Sequence, residues 1–210
     1  MKQKIWRWVA LVFMAAVILS LSSCGGGGDA VYVPPASTMG TIELINDSIV
    51  TIDGFYLAPA DQNSWGANIL SGPLFPKENA FIVDIFSDYY DAKIRTTGAY
   101  SLYSGYLYDI PIAAGDILPL YVHNSSFTGS LEIRNNTSGA TIIGVYVVPA
   151  KAPTWGIDQT SSDIGPSGSL HLYDLAPGLY DVRVVWNIGP DSIDYDIIVD
   201  SLTLKTLNVD

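Results

Sequence analysis

The sequence predicts an all-β protein made of two tandem antiparallel β-sandwich repeats. Three observations carry that prediction. The chain matches itself at a fixed offset, each copy alternates apolar and polar residues with period two, and Tyr, Ile, Val, Leu, Gly and Asp replace the Lys-, Glu- and Ala-rich blocks that build helices.

At an offset of 90 residues, Gly54 falls on Gly144, Tyr56 on Tyr146, Pro59 on Pro149, Trp65 on Trp155 and Gly66 on Gly156. Pro76 falls on Pro166, Asp84 on Asp174, and the pair Tyr90-Asp91 on Tyr180-Asp181. A one-residue gap extends the match back to Gly40 and Gly129, and a three-residue deletion brings Tyr108-Asp109-Ile110 onto Tyr195-Asp196-Ile197. Two copies of one unit, 40–122 and 129–210, account for this order of rare residues.

Within the first copy, residues 41–45 alternate as an opening strand and an Asn turn follows at Asn46-Asp47-Ser48. A second strand at 55–57 stops at Pro59, and further strands are expected at 81–86, 91–95, 101–112 and 118–122. In the second copy the equivalents are 130–134, the turn Asn135-Asn136-Thr137, and strands at 145–148, 169–173, 181–186, 193–199 and 202–209. About six short strands per copy suit an antiparallel sandwich of immunoglobulin-like size, whereas parallel strands call for crossover helices.

The first 23 residues are set apart. Lys2, Lys4 and Arg7 precede the apolar run 8–21, whose fourteen residues fall short of the roughly 20 that a spanning helix needs. Leu21-Ser22-Ser23-Cys24 resembles the lipobox of bacterial lipoproteins, and Cys24 is the chain's only cysteine. That resemblance implies a signal peptide over 1–23, cleavage before Cys24, and acyl chains such as palmitate on it that hold the protein at the membrane of the bacterial cell envelope. Gly25 stands where an Asp would retain such a lipoprotein at the inner membrane, so the cell outer membrane is favoured in a host with two. Residues 24–39, with Gly25 to Gly28 and Pro34-Pro35, read as the lipid anchor and a Gly/Pro tether.

Removing those 23 of the 210 residues leaves 187, with seven basic against 21 acidic side chains and a formal net charge of −14. This charge excludes nucleic acid as a partner, because a phosphate backbone is held by clustered Lys and Arg. With no cysteine beyond Cys24, disulfides, thiolate nucleophiles and Cys metal sites are excluded as well.

The candidate sites are aromatic. Trp65 and Trp155 are either platforms for a sugar or a partner side chain, or residues that close one end of each sandwich while Gly66 and Gly156 turn the chain; the repeat favours the second reading. Tyr100, Tyr106 and Tyr108 would share one strand face with Tyr103 opposite, as a binding surface or as packing between domains. Tyr90-Asp91 before Lys93, and Tyr180-Asp181 before Arg183, read as solvated faces of alternating charge. Asp84, Asp88 and Asp91, and then Asp191, Asp194 and Asp196, lack the spacing of a calcium loop and read as turn charges, so no metal and no cofactor is expected. His123 lies in the linker. Ser167-Gly168-Ser169 beside His171 does not make a triad on the reasoning that strand neighbours face opposite ways, so no catalytic residue is assigned.

The order Asn turn, Tyr-x-x-Pro, Trp-Gly, Pro, Tyr-Asp-x-basic is similar to repeats in uncharacterised secreted bacterial β-sandwich domains, which implies a fold and no activity. The sequence therefore points to a membrane-anchored, non-enzymatic binding or scaffold protein with an envelope protein or a glycan as partner. Its alternative is a carbohydrate-binding module pair using the Tyr and Trp platforms, and a carboxylate-based hydrolase comes third.

Overall fold

A computed structural model describes residues 38–210; the expected signal peptide, Cys24 and the expected tether up to residue 37 lie outside the described residues. The first copy contributes strands β1 (Met39–Asn46), β2 (Ile52–Pro59), β3 (Asn79–Phe86), β4 (Asp88–Thr96), β5 (Ser104–Ile112) and β6 (Ile117–Val122). The second contributes β7 (Gly129–Asn135), β8 (Ile142–Pro149), β9 (Ser169–Leu175), β10 (Gly178–Trp186), β11 (Ser192–Val199) and β12 (Leu204–Val209). These form four three-stranded sheets, β3-β1-β6 and β2-β4-β5, then β9-β7-β12 and β8-β10-β11. The all-β fold is as the sequence predicts, and β2 and β8 end at Pro59 and Pro149, where the ladder loses a donor.

Alternation drives the layering. In β1, Ile42 and Leu44 turn inward and meet Ile52, Phe55, Ile94, Ile110 and Val122 from both first-copy sheets. Leu131, Ile133, Val145, Val182, Val184 and Trp186 build the second core in the same way. Each such side chain stabilises its sandwich by about 1.5–3 kcal/mol through burial.

One expectation changes. β1 pairs with β6, and β7 with β12, in parallel, and the remaining pairings are antiparallel. A crossover helix is unnecessary because the chain makes its return through the opposing sheet, in which β5 and β11 lie. That return passes very close to the start of β1 and β7. A Cβ on Gly40 would stand 2.4 Å from the Ala113 carbonyl oxygen, and one on Gly129 2.2 Å from that of Asp200.

The repeated acids shape the strands. Asp84, Asp174, Asp109 and Asp196 all have φ between 53° and 59°. They sit at the register shifts of β3, β9, β5 and β11, where two residues face one across the ladder. Asp tolerates this left-handed conformation better than most residues. Asp91 and Asp181 complete the device, each accepting the bulge N–H of Asp109 or Asp196 at 3.1 Å. They are therefore buried structural carboxylates, a correction to the solvated faces expected around them. Tyr90 and Tyr180 brace the same corners, donating to the carbonyls of Phe86 and Ala176 four residues back. Burial raises both phenol pKa values, with the Asp88 charge adding to the effect at Tyr90.

Candidate functional site

The Trp-bearing loops leave β2 and β8 and are stapled back by one side chain in each copy. Asn68 Oδ1 accepts the Phe55 N–H at 3.0 Å, and at the equivalent position Asp158 Oδ1 accepts the Val145 N–H at 3.0 Å. Burial alone would raise the Asp158 pKa, but N–H donors from Thr160, Val145 and Gln159 and the Thr160 hydroxyl hold it below the usual carboxylate range. Gly156 turns the chain at φ 69° as expected. Gly66 does not share that conformation; its glycine is required by a close approach, since a Cβ would lie 2.9 Å from the Leu57 carbonyl oxygen.

Neither Trp65 nor Trp155 belongs to a core, although the sequence favoured such a packing role. Both indoles are half-buried on the surface. Trp65 meets Tyr106 with ring centroids 6.0 Å apart, and Tyr106 runs parallel to Tyr108 at 6.4 Å with an 8° interplanar angle. Lys93 Nζ lies 5.8 Å from the Tyr106 ring centroid and covers it. Tyr100 is not part of this row. It lies in a 3-10 turn (Gly98–Tyr100) and packs on the first core beside the buried Tyr103.

The second copy keeps the tryptophan but not its tyrosine neighbour. Register pairs Lys93 with Tyr106 and Arg183 with Ile193, so Ile193 occupies the place of Tyr106. Arg183 turns away, donating from Nε to Asp191 at 2.8 Å and lying 5.5 Å from the Tyr146 ring. What remains is a cleft of about 450 Å³ lined by Lys151, Pro153, Thr154, Trp155, Tyr195 and Asp196, with Val148, Ala152 and Asp181 completing the wall. Tyr195 is 64% exposed. Of this cleft the sequence offered Trp155 alone; the signals for the rest were the Tyr106-to-Ile193 exchange and the replacement of Asp61-Gln62-Asn63 by Lys151-Ala152-Pro153 between the copies.

A Ser-His-Glu cluster occurs on the outer face of β9-β7-β12. Ser169 and His171 are two residues apart and so share a face, contrary to the expectation above, with Ser169 Oγ 3.3 Å from His171 Nε2. Glu132 Oε1 lies 3.3 Å from that same nitrogen. A relay needs the base to use one ring nitrogen for the hydroxyl and the other for the acid, and here one nitrogen serves both. Glu132 is further committed to Arg134 at 3.0 Å and to the Thr206 hydroxyl at 3.0 Å. Those two hydrogen bonds, led by Arg134, lower its pKa against a smaller desolvation effect.

Glu132 and Asp158 both have folded pKa values below their ordinary ones, so their contributions are fully present above the ordinary carboxylate range and are lost as pH falls through the folded values. Urea midpoints are expected to drop between pH 7 and pH 3, and Glu132→Gln to flatten part of that drop.

No protein-family model matches this chain, and no curated protein matches it significantly. Among solved structures it is similar to the Bacillus anthracis TIE protein, with 12% identity, TM-score 0.28, 82% of this chain and 33% of that one covered. It is also similar to a streptococcal ancillary pilin, at 9% identity and TM-score 0.32 over 81% of this chain and 62% of that one. The third is GBS52, the minor pilin of Streptococcus agalactiae, at 9% identity and TM-score 0.33 over 81% and 94%. The chain thus spans about a third and about three fifths of the first two, and TM-scores this low carry no functional argument.

Proposed function

We propose that this chain is a lipid-anchored protein of the bacterial envelope that binds rather than catalyses. Residues 1–23 are its signal peptide, Cys24 carries the acyl chains, 24–39 is the tether, and 40–122 and 129–210 are two β-sandwich domains held off the membrane, the outer one in a diderm host. The open cleft between Trp155 and Tyr195 carries the binding half of this reading, because two aromatic faces border a space of ligand size. The lipobox carries the other half. Several acyl chains, at about 0.8 kcal/mol per buried methylene, anchor stably without a spanning helix.

A fatty-acid probe is expected to label the wild type and not Cys24→Ala, which should accumulate uncleaved because the peptidase acts after lipid transfer. An unlabelled wild type, or efficient cleavage of the variant to a soluble product, contradicts the anchor. For binding, the immobilised mature chain carrying Cys24→Ser should retain envelope material that Trp155→Ala does not.

A further inference from the structure

We infer that the Trp155 cleft of the second copy is a single-residue site for a neutral pyranose of an envelope glycan, and that the first copy has no counterpart because Tyr106 occupies it. This rests on the binding reading above and narrows it, replacing a pair of equivalent modules by one.

Chemistry on the rim selects the ligand class. The indole of Trp155 and the phenol of Tyr195 offer flat apolar faces, and a pyranose presents a matching face of C–H bonds. The lining residues beside them carry polar groups of both signs: Lys151, Thr154 and Asp196. The buried Asp181 has Oδ1 on the Asp196 N–H and Oδ2 on the Lys151 N–H, and each oxygen keeps a second acceptor position. An anion meets two carboxylates here, and a quaternary ammonium meets Lys151. A neutral polyol uses donors and acceptors alike. The volume of about 450 Å³ admits a sugar ring and lies within the range of small-molecule sites.

The mounting is rigid. Asp181 ties the loop at Lys151, whose φ is 66°, to the β11 bulge at Asp196, so both walls of the cleft are fixed by one buried carboxylate. In the first copy Tyr106 and Lys93 lie over the corresponding ground, and Trp65 is committed to Tyr106.

The test uses the mature chain with Cys24→Ser, titrated with a panel of neutral glycans, a uronic-acid glycan and choline, and read by calorimetry and by indole N–H signals in NMR. Three tryptophans remain in that chain, Trp65, Trp155 and Trp186, so the signals are separable by Trp→Phe substitution. A neutral glycan is expected to bind with one-to-one stoichiometry and to move the Trp155 signal alone. Trp155→Ala should weaken it by about tenfold or more, and Trp65→Ala should leave it unchanged. Ile193→Tyr, which copies the first-copy cover without removing any wall, should abolish binding in a protein that still melts cooperatively. Tighter binding of choline or the uronic acid, two sites per chain, or equal losses from Trp65→Ala and Trp155→Ala would each overturn the inference. If envelope material is retained through Trp155 yet no neutral glycan binds, this inference fails and the proposed function stands; if nothing is retained, the function fails first.

Discussion

Phe127→Ala is expected to lower stability by about 3–5 kcal/mol, the usual cost of deleting a fully buried aromatic side chain. Phe127 lies in the stretch between the two copies, where the sequence suggests a linker, yet it is only 1% exposed and belongs to the first core. Its ring fills the space that Gly105 leaves open, with Phe127 carbons 3.1 and 3.2 Å from where a Gly105 Cβ would stand. Around it the junction is tied from both sides. Thr128 exchanges backbone and side-chain hydrogen bonds with Ser104, its hydroxyl meets Asp174, its carbonyl accepts the Leu202 N–H, and Leu202 itself packs into the first core. The wild type should therefore unfold in one urea transition by circular dichroism and by fluorescence, while Phe127→Ala should move the first-copy transition to lower urea and split the curve. Coincident, unshifted transitions in the variant would show the junction to be a passive connector.

The strands were readable because their signal is local. Alternation at 41–45, 81–86 and 193–199 depends on residues a few positions apart, and the 90-residue match carried one copy's assignment to the other. What the sequence hid depends on partners far along the chain. Nothing near 118–122 announces that β6 lies parallel to β1, because that pairing is made by a return through the opposing sheet. Asp91 looks like half of an exposed acid–base alternation until the β5 bulge places the Asp109 N–H on its carboxylate. Tyr100 fits the Tyr106–Tyr108 face by parity alone, but the 3-10 turn ending at Tyr100 and the loop before Ser104 break that parity. At the cleft, the tryptophan was visible and its accessibility was not. The ring that Trp65 meets comes from another strand, Tyr106, and the equivalent position in the second copy is Ile193.

The Asn turns show the same limit. From sequence, Asn46 and Asn135 read as turn residues; in the structure both are fully buried as well. Asn46 Nδ2 donates to the carbonyls of Val50 at 2.8 Å and Leu74 at 3.0 Å, and its Oδ1 accepts the Ser48 N–H at 3.1 Å and hydroxyl at 2.6 Å. Asn135 repeats the pattern with Ala140, Ile164 and both groups of Thr137. Each amide thus ties the end of the opening strand to the loop that precedes the third. Asn46→Ala leaves the Leu74 carbonyl with the Ile52 N–H and the Val50 carbonyl with the Ser48 hydroxyl at 3.3 Å, but strips both of the amide donor and leaves the Ser48 N–H without its acceptor. At about 1–3 kcal/mol for an unsatisfied buried group, the loss should be about 2–3 kcal/mol. Asn46→Asp separates hydrogen bonding from size. The carboxylate keeps the acceptor side but loses both donors and turns negative charge toward the Val50 and Leu74 oxygens. At pH 7 this variant should be less stable than Asn46→Ala. The introduced acid has a raised folded pKa, because only its protonated form can donate to a carbonyl, so lowering the pH toward 4 should narrow the gap between the two variants. Urea midpoints of both at the two pH values decide it. A gap that stays constant would mean that the introduced carboxylate leaves the buried position, and that shape rather than the donor pair holds the turn.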